Sequence, residues 1–592
     1  MTPDRRADHT GAVAPSIHPE LAAHSELYSP RQVHHLGRVH CAVGWNLANI
    51  TMIEGDDGIV VVDSGMDQRQ STQVLTELRR VTTKPLAAVI LTHHHVDHVQ
   101  GTQALLADAG SGSAHGPSGA EVPVYAHASL MDEYSQENVL IGPIMNARAI
   151  PMYNLALSGA DVEGMNAGIG PRFEVGQTGF VVPTHTFDHE LEITVAGIRM
   201  QLLHVPSEAE SELCVWLPDD RVLLSAEVVQ DHTCPNIYTL RGAKHRDAKQ
   251  WYESIDVMRQ WTEAEHMVLQ HGPPVAGGDE VAAVLQGYRD AIQYQHDQTL
   301  RLANQGLAAD EVAQQVSLPP HLRDWSPWMR PFYGAVEHNV PAIFNDYLGW
   351  FDGDPVALAP TPRPAYAARL VALMGGRAAV LAAADQEMDD DPQFAAELAT
   401  YLIRMDLDDV DARQIKARAF RILGYAQINP TWRGFYLTAA GYLDGSLRDL
   451  LDVAHQLVGA NRNSPEVLGR LGADVIVDQL PVRLAAERVL ELELTVGLSF
   501  TDAGGSGPDG SDDYTVELRR GVAEVRPGLD PAAAVVLRGP RPLLGPLLLA
   551  GGDPEVRLDT DGLVIDGLRG AATTFLAAFE DPATSYPPIF TR

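Results

Sequence analysis

The stretch Thr92–Gly101, THHHVDHVQG, sets His93, His95, Asp97 and His98 at fixed short spacing. Just upstream, Leu86 to Leu91 is an apolar run with β-branched members, the pattern of a buried strand. The cluster therefore sits on the loop leaving that strand. In extended or turning backbone, residues two apart point the same way, so His93 and His95 can chelate one cation. Asp97 and His98 follow as the loop turns and can address a second. Imidazole with a single carboxylate suits Zn2+, and mixed nitrogen and oxygen sets are typical of catalytic zinc. Two such ions about 3.5–4 Å apart can activate a water and clamp a leaving oxygen. A histidine-rich surface loop is the bland alternative; the full spacing directly after a strand speaks against it. With about four ligands on each ion, some of them water, two ions need about seven protein groups. The loop supplies four. Glu208, Glu227 and His271, each near the end of a later strand-like run, are the candidates for the rest.

The elements that must position these residues are legible in outline. Strand-like runs at Val39–Val43, Asn49–Ile53 and Ile59–Asp63 precede a periodic helix over 70–81 and the strand into the metal loop. Asp63 ends its strand just before Ser64-Gly65, either as a turn former or as a carboxylate that fixes a metal histidine from behind. Thr102 to Asp108 reads as helix. Residues 131–190 have little periodicity and read as the walls of a substrate pocket. His127, His185 and His189 read as ordinary polar residues. Strands at 191–195, 200–204, 214–217 and 222–227 form the second half of a sandwich. From Asp279 the character turns helical. Alanine-rich amphipathic stretches at 369–384, 393–405 and 411–428 resemble helical repeats, without an exact period. Beyond residue 463, helical stretches at 468–479 and 482–486 precede strands at 489–499, 514–518, 522–525, 534–537 and 558–565. A hairpin loop at 503–507 and a closing helix at 571–579 complete a small α+β layer.

Composition sets the bounds. At 592 residues the chain exceeds the ~250–300 at which one core stops growing, so two or three domains are expected. The net charge of −35 repels phosphate backbones and anionic membranes, which excludes nucleic acid as a partner. It also obliges an anionic substrate to find a local cation. Cys41, Cys214 and Cys234 are too few and too odd in number for a disulfide framework and suit a reducing compartment. With no apolar N-terminal core and no apolar run near ~20 residues, a cytoplasmic protein without a membrane span is expected.

Further segments carry a family resemblance. Asn236 to Ala243 (NIYTLRGA), Arg246-Asp247, Tyr347 to Gly353 (YLGWFDG) and Tyr514 to Val522 join the metal loop in a pattern that resembles the alkyl sulfatases of the metallo-β-lactamase superfamily, nearly end to end. The resemblance implies an α+β multidomain chain. After an N-terminal arm (1–35) would come an αββα metallo-β-lactamase sandwich (36–278), an all-α dimerisation domain (279–455) and a C-terminal α+β sterol-carrier-like domain (463–592). It implies two Zn2+ per subunit: one on His93, His95 and Glu208, the other on Asp97, His98 and His271, with Glu227 bridging. It places the sulfate of a small alkyl sulfate ester on Asn236, Arg241 and Tyr347 as catalytic groups, with Ile237, Tyr238, Thr239 and Leu240 in the same binding segment. A planar guanidinium fits that role, since it grips oxyanions at two points and supplies the cation the acidic surface lacks. The expected reaction is hydrolysis to alcohol and inorganic sulfate by a homodimer, with the C-terminal layer offering an apolar groove to the alkyl tail.

Two departures from the family pattern bear on the pocket. Pro206-Ser207-Glu208 stands where Gly-Thr-Glu is usual, and Pro143-Ile144-Met145 with a single Arg148 stands where the family has Asn-Ala-Met followed by paired arginines. The alternatives are a hydrolase of the same superfamily acting on another ester, a lactone, a thioester or a phosphodiester, and a lipid carrier with a vestigial metal site.

Overall fold

The computed structural model describes residues 17–108, 121–173, 175–243, 246–447, 472–502 and 512–580. The hairpin loop expected at 503–507 and the start of the helix expected at 468 lie outside these residues.

Two sheets face each other. The first has seven strands, Gln32–Leu36, Val39–Val43, Ile50–Glu54, Ile59–Val62, Leu86–Ile90, Val124–His127 and His185–Phe187, ordered as they occur in the chain. The second has six, running from Val275–Ala276 through His266–Val268, Val222–Leu224, Leu213–Leu217 and Ile198–His204 to Glu190–Val195. Strand alternation assigns the layers. Val60 and Val62 join Val215, Leu217 and Leu224 in the core between the sheets, whereas Ile59 and Val61 face Val74, Leu75 and Leu78 of the helix Gln68–Leu78 outside. On the far side, Trp216, Leu223 and Met267 of the second sheet pack under Trp251, Ile255 and Met258 of the helix Ala248–Met258. The result is the αββα sandwich expected.

The helix Gly278–Ala303 packs on this same outer layer through Val281, Val284, Leu285, Tyr288 and Ile292. The expected start of the helical domain at 279 thus coincides with a helix whose apolar stripe belongs to the sandwich. Further along, the helices Arg363–Leu373, Arg377–Glu387, Pro392–Met405, Val410–Ala426 and Pro430–Asp444 pack around Val371, Ala384, Leu402, Ala417 and Ala440. Gly375 and Gly376, both at positive φ, split the stretch read as one helix over 369–384. Among the described residues no single helix is long and apolar enough to cross a membrane.

The C-terminal layer is a five-stranded sheet in the order Val522–Pro527, Asp513–Arg519, Glu493–Phe500, Val535–Gly539, Val564–Gly567. Its core includes Leu544, Leu548, Phe575 and Leu576 from the helices Arg541–Leu549 and Arg569–Ala577. Of the stretch 558–565 read as strand, only Val564 and Ile565 belong to one, the strand Val564–Gly567, because Leu558 closes the short helix Pro554–Leu558. The stretch 131–190, read as pocket wall of low periodicity, contains the helices Leu130–Ser135 and Gly142–Met152, with a π-helical turn at Gln136–Leu140 between them. Met145, Asn146, Ala147, Ile150 and Met152 are all buried, which removes the polar face that would have shown a helical period. The C-terminal helix Gln479–Arg483 touches the π-helical turn, so the third layer abuts the wall of the central cavity.

One glycine ties the metal loop to the sheet. A Cβ at Gly101 would lie 1.9 Å from Ser71 Oγ and 2.0 Å from the Ser64 carbonyl oxygen. Gly101→Ala should lower the thermal midpoint of the sandwich by the equivalent of about 1–3 kcal/mol. Gly570→Ala, on an exposed helix with open space around it, should leave the midpoint unchanged or higher. Equal midpoints for Gly101→Ala and the parent in differential scanning calorimetry would contradict the tight packing.

Candidate metal centre and its cavity

The strand Leu86–Ile90 is followed by five residues of irregular loop, Leu91 to His95, before the one-turn helix Val96–Val99. His93 and His95 leave the loop so that His93 Nε2 and His95 Nδ1 lie 2.9 Å apart. Asp97 and His98 project from the short helix. All seven residues expected as ligands converge, from four separate strand ends. The ligand atoms of His93, His95, Glu208 and Glu227 lie within 4.8 Å of one another, and so do those of Asp97, His98 and His271. Glu227 stands between the two groups. Its Oε2 is 3.2 Å from His93 Nε2 and 3.5 Å from His98 Nε2, and its Oε1 is 3.2 Å from His271 Nε2.

The supports behind these groups fix their orientation. His98 Nδ1 is 2.6 Å from Asp63 Oδ2, which leaves Nε2 facing the cluster. Asp63 also accepts from the Thr92 N–H and hydroxyl, both at 2.8 Å, and from the Gln270 amide. The backbone at Asp63 sits at φ 57°, and that at Ala226, just before Glu227, at φ 53°. Strain of this kind at two strand ends that aim chemical groups is held by the surrounding fold. His271 Nδ1 lies 2.9 Å from the Leu47 carbonyl, which makes Nδ1 the donor and turns Nε2 inward. Glu208 is held by the Gln230 amide at 2.7 Å and by Arg246.

Burial sharpens the electrostatics. Considered with protein groups alone, burial opposes charge on His98, yet Asp97 and Asp63 push its pKa well up. Burial and the neighbouring His98 push His93 well down. For Glu227 burial opposes the anion, but His271, His93 and His95 hold its pKa well below the usual carboxylate range. Glu212, wholly buried, is raised to about 8 by burial and by Glu227 and Glu208. His98 Nε2 and His271 Nε2 are buried without a hydrogen-bond partner. Orphaned imidazole nitrogens beside carboxylates, each with its other nitrogen already engaged, fit a divalent cation.

The cluster forms one end of a cavity with about 1000 Å³ of empty space, its open mouth included. Its walls are apolar, with Leu47, Met66, Met145, Ile169 and Phe173, and its polar end holds Arg241, Glu137, Tyr153 and Tyr333. Arg241 Nη1 lies 3.2 Å from Glu137 Oε2 and 3.1 Å from the Gly242 carbonyl. Arg148 holds the Arg241 segment from outside by donating to the Leu240 carbonyl at 3.1 Å.

The other expected substrate groups are placed less centrally. Asn236 is buried beside the Glu208 support: its carbonyl accepts from Arg246 at 2.6 Å, and its Nδ2 has no partner. Ile237 and Thr239 are buried in packing, and Leu240 packs against the cavity wall. Tyr238 is part exposed, its hydroxyl 3.4 Å from Arg148 Nη2. Tyr347 stands apart. It is 52% exposed on the helix Val336–Leu348, its hydroxyl 2.8 Å from His296 Nε2, and it does not line the cavity. That expectation is corrected. The tyrosines that do line the cavity are Tyr153 and Tyr333, whose hydroxyls are 3.2 Å apart. Sequence reasoning also passed over Glu137, Glu212, Gln230 and the role of Arg246. Only Arg246, within a family segment, carried a signal.

Family models match three successive parts: the metallo-beta-lactamase superfamily over residues 43–264, alkyl sulfatase dimerisation over 308–446 and alkyl sulfatase C-terminal over 461–589. A linear primary-alkylsulfatase of Pseudomonas sp. (strain ATCC 19151) is 43% identical over 544 residues, 89% of this chain and 98% of the relative. The chain belongs to the alkyl sulfatase family. An (R)-specific secondary-alkylsulfatase of Pseudomonas sp. is 29% identical over 90% of this chain and 80% of its own. Among solved structures, the stereoselective inverting sec-alkylsulfatase Pisa1 from Pseudomonas sp. superposes with a TM-score of 0.83 at 27% identity, covering 98% of this chain and 89% of that one. The sandwich, helical and C-terminal layers are therefore those of an alkyl sulfatase.

Asp63→Asn tests the support behind His98. Asn tolerates the left-handed backbone, so the change removes charge while keeping shape. Affinity for zinc, measured by competition with a chelator, should fall about 10–100-fold. Unchanged affinity would show that Asp63 only shapes the turn.

Proposed function

We propose that this chain is a hydrolase that cleaves alkyl sulfate esters to an alcohol and inorganic sulfate with two zinc ions in each subunit. The observation that carries the reading is the cavity itself: an apolar sleeve that ends on a ligand cluster, with Arg241 the one guanidinium among its described lining residues. That is the shape and polarity of an apolar tail with one anionic head. The relatives' names, linear primary-alkylsulfatase and (R)-specific secondary-alkylsulfatase, favour sulfate over a carboxylic or phosphoric ester.

His93, His95 and Glu208 would hold one ion, Asp97, His98 and His271 the other, and Glu227 would reach both. Zinc suits this set of imidazoles and carboxylates. When bound, such ions supply an acidified water and a positive clamp for an oxyanion. The protein does the rest. Asp63 and the Leu47 carbonyl keep His98 and His271 in the tautomer whose free nitrogen faces the cluster. Arg241, raised out of any titration range by Glu137 against the cost of burial, stays cationic and stabilises the sulfate. Burial pushes the Tyr153 hydroxyl up to about 12 and that of Tyr333 well above its usual value, so both remain proton donors toward sulfate or leaving oxygen. The apolar walls hold the alkyl chain and exclude water from it.

The helical layer would pair two chains. Trp350, Val356, Leu358 and Leu373 are exposed on it at 62–84%, apolar side chains that a partner surface would cover. The expected apolar groove on the C-terminal layer is not needed for the tail, because the apolar room lies over the metal cluster. A cavity on that layer is lined by Arg483, Arg488 and Arg557 together with Leu548, Leu576 and Phe579.

Zinc-loaded protein should release sulfate from dodecyl sulfate much faster than it opens lactones or cleaves phosphodiesters. Arg241→Ala should lower kcat/KM by about 10²–10³ while zinc content stays at the parental value. No sulfate release by the loaded parent, or unchanged kcat/KM in the variant, would remove the reading or the role of Arg241 respectively.

A further inference from the structure

Once the seven candidate ligands are set aside, one carboxylate remains in the cavity. Asp97, Glu208 and Glu227 are among the seven, whereas Glu137 is not; its carboxylate gathers with His94 and His95. Glu137 comes from the π-helical turn Gln136–Leu140, is 4% exposed, and sends Oε2 to Arg241 Nη1 at 3.2 Å. The same oxygen is 3.7 Å from His94 Nε2 and 3.7 Å from His95 Nε2. Among the described residues that line the cavity, Arg241 is the sole Lys or Arg. The cation expected to receive the substrate's head group thus already faces a fixed anion.

For a site that binds anions this arrangement has a chemical consequence. Hydrolysis converts a monoanion to a dianion: R–OSO3⁻ + H2O gives R–OH + SO4²⁻ + H⁺. If the S–O bond breaks, the water oxygen bonds to sulfur and the departing alkoxide takes one of its protons; if the C–O bond breaks, the water oxygen bonds to carbon and sulfate departs with the ester oxygen. Either way one proton of water stays on the alcohol and the other is released. Substrate and product present the same tetrahedral oxyanion to Arg241 and differ there by one unit of charge. A resident carboxylate a few ångströms away repels the dianion about twice as strongly as the monoanion. Burial of Glu137 keeps that repulsion from being screened by solvent. A protonatable or neutral partner would also aim the guanidinium, but would not sort anions by charge.

We propose that Glu137 is a specificity-determining residue that selects monoanionic sulfate esters over dianions, weakening retention of the sulfate product and excluding dianionic phosphate monoesters. This rests on the alkyl sulfatase reading above.

The test uses full-length zinc-loaded protein, Glu137→Gln, and Glu137→Asp as the variant that retains the charge. Inorganic sulfate is titrated by calorimetry and as an inhibitor of dodecyl sulfate hydrolysis. In Glu137→Gln the Kd and Ki of sulfate should fall about tenfold or more, while KM for dodecyl sulfate falls by less. Glu137→Asp should stay near the parent. Sulfate affinity unchanged in Glu137→Gln, or raised equally in both variants, overturns the proposal and leaves Glu137 only as a brace for Arg241. If Glu137→Gln does not fold, the parent decides: monoanionic methyl sulfate must bind at least as tightly as sulfate, and the reverse order overturns the proposal. Should the parent hydrolyse no alkyl sulfate, the functional reading fails, but the calorimetric order of the two anions still decides the role of Glu137.

Discussion

Buried charge governs this structure. Glu208, Glu227, His93, His95, His98 and His271 are each 5% exposed or less, and their ligand atoms crowd into one small volume. Taking so many polar and ionisable groups out of water costs several kcal/mol for each ion unless each finds a partner. Protein partners satisfy only the outward side: Asp63 for His98, the Leu47 carbonyl for His271, Gln230 and Arg246 for Glu208. Of the inward atoms, His98 Nε2 and His271 Nε2 have none. A pair of divalent cations would resolve this imbalance, and the rest of the fold reads as the frame that holds it open.

The frame works by bringing strand ends together. Each sheet contributes from the same edge of the sandwich: Asp63 and the His93–His98 loop from the first, Glu208, Glu227 and His271 from the second. Both sheets are clamped by apolar layers on their outer faces, so the ends are stiff. The long insertion between the strands Val124–His127 and His185–Phe187 then roofs the cluster with Met145, Tyr153 and Phe173, and the segment after Trp328 adds Tyr333 from the helical side. Metal chemistry thus comes from the sandwich, while the shape and charge of the pocket come from segments added to it.

That division explains what could be read from the chain alone. The loop Thr92–Gly101 was legible because its ligands are local and spaced by backbone geometry. Glu208, Glu227 and His271 were legible as groups at strand ends, and the sandwich followed from alternation in its strands. Among Glu208, Glu210 and Glu212, however, identity and spacing are the same. Only the fold exposes Glu210, buries Glu212 behind Glu227 and turns Glu208 to His95. Tyr347 sits in the specific run YLGWFDG that carries the resemblance, yet it is exposed on the helical layer, while Tyr333, in no such run, reaches the cavity from an irregular loop. Glu137 carried no signal, since the helices around it are short, contain Pro143 and Pro151, and are buried on most sides.

The most direct measurement of the central claim is anomalous diffraction above the zinc absorption edge on crystals of the purified protein supplied with zinc. Two peaks are expected in each subunit, one among His93, His95 and Glu208 and the other among Asp97, His98 and His271, with Glu227 reaching both. A single peak, none, or zinc bound away from these residues would contradict the account.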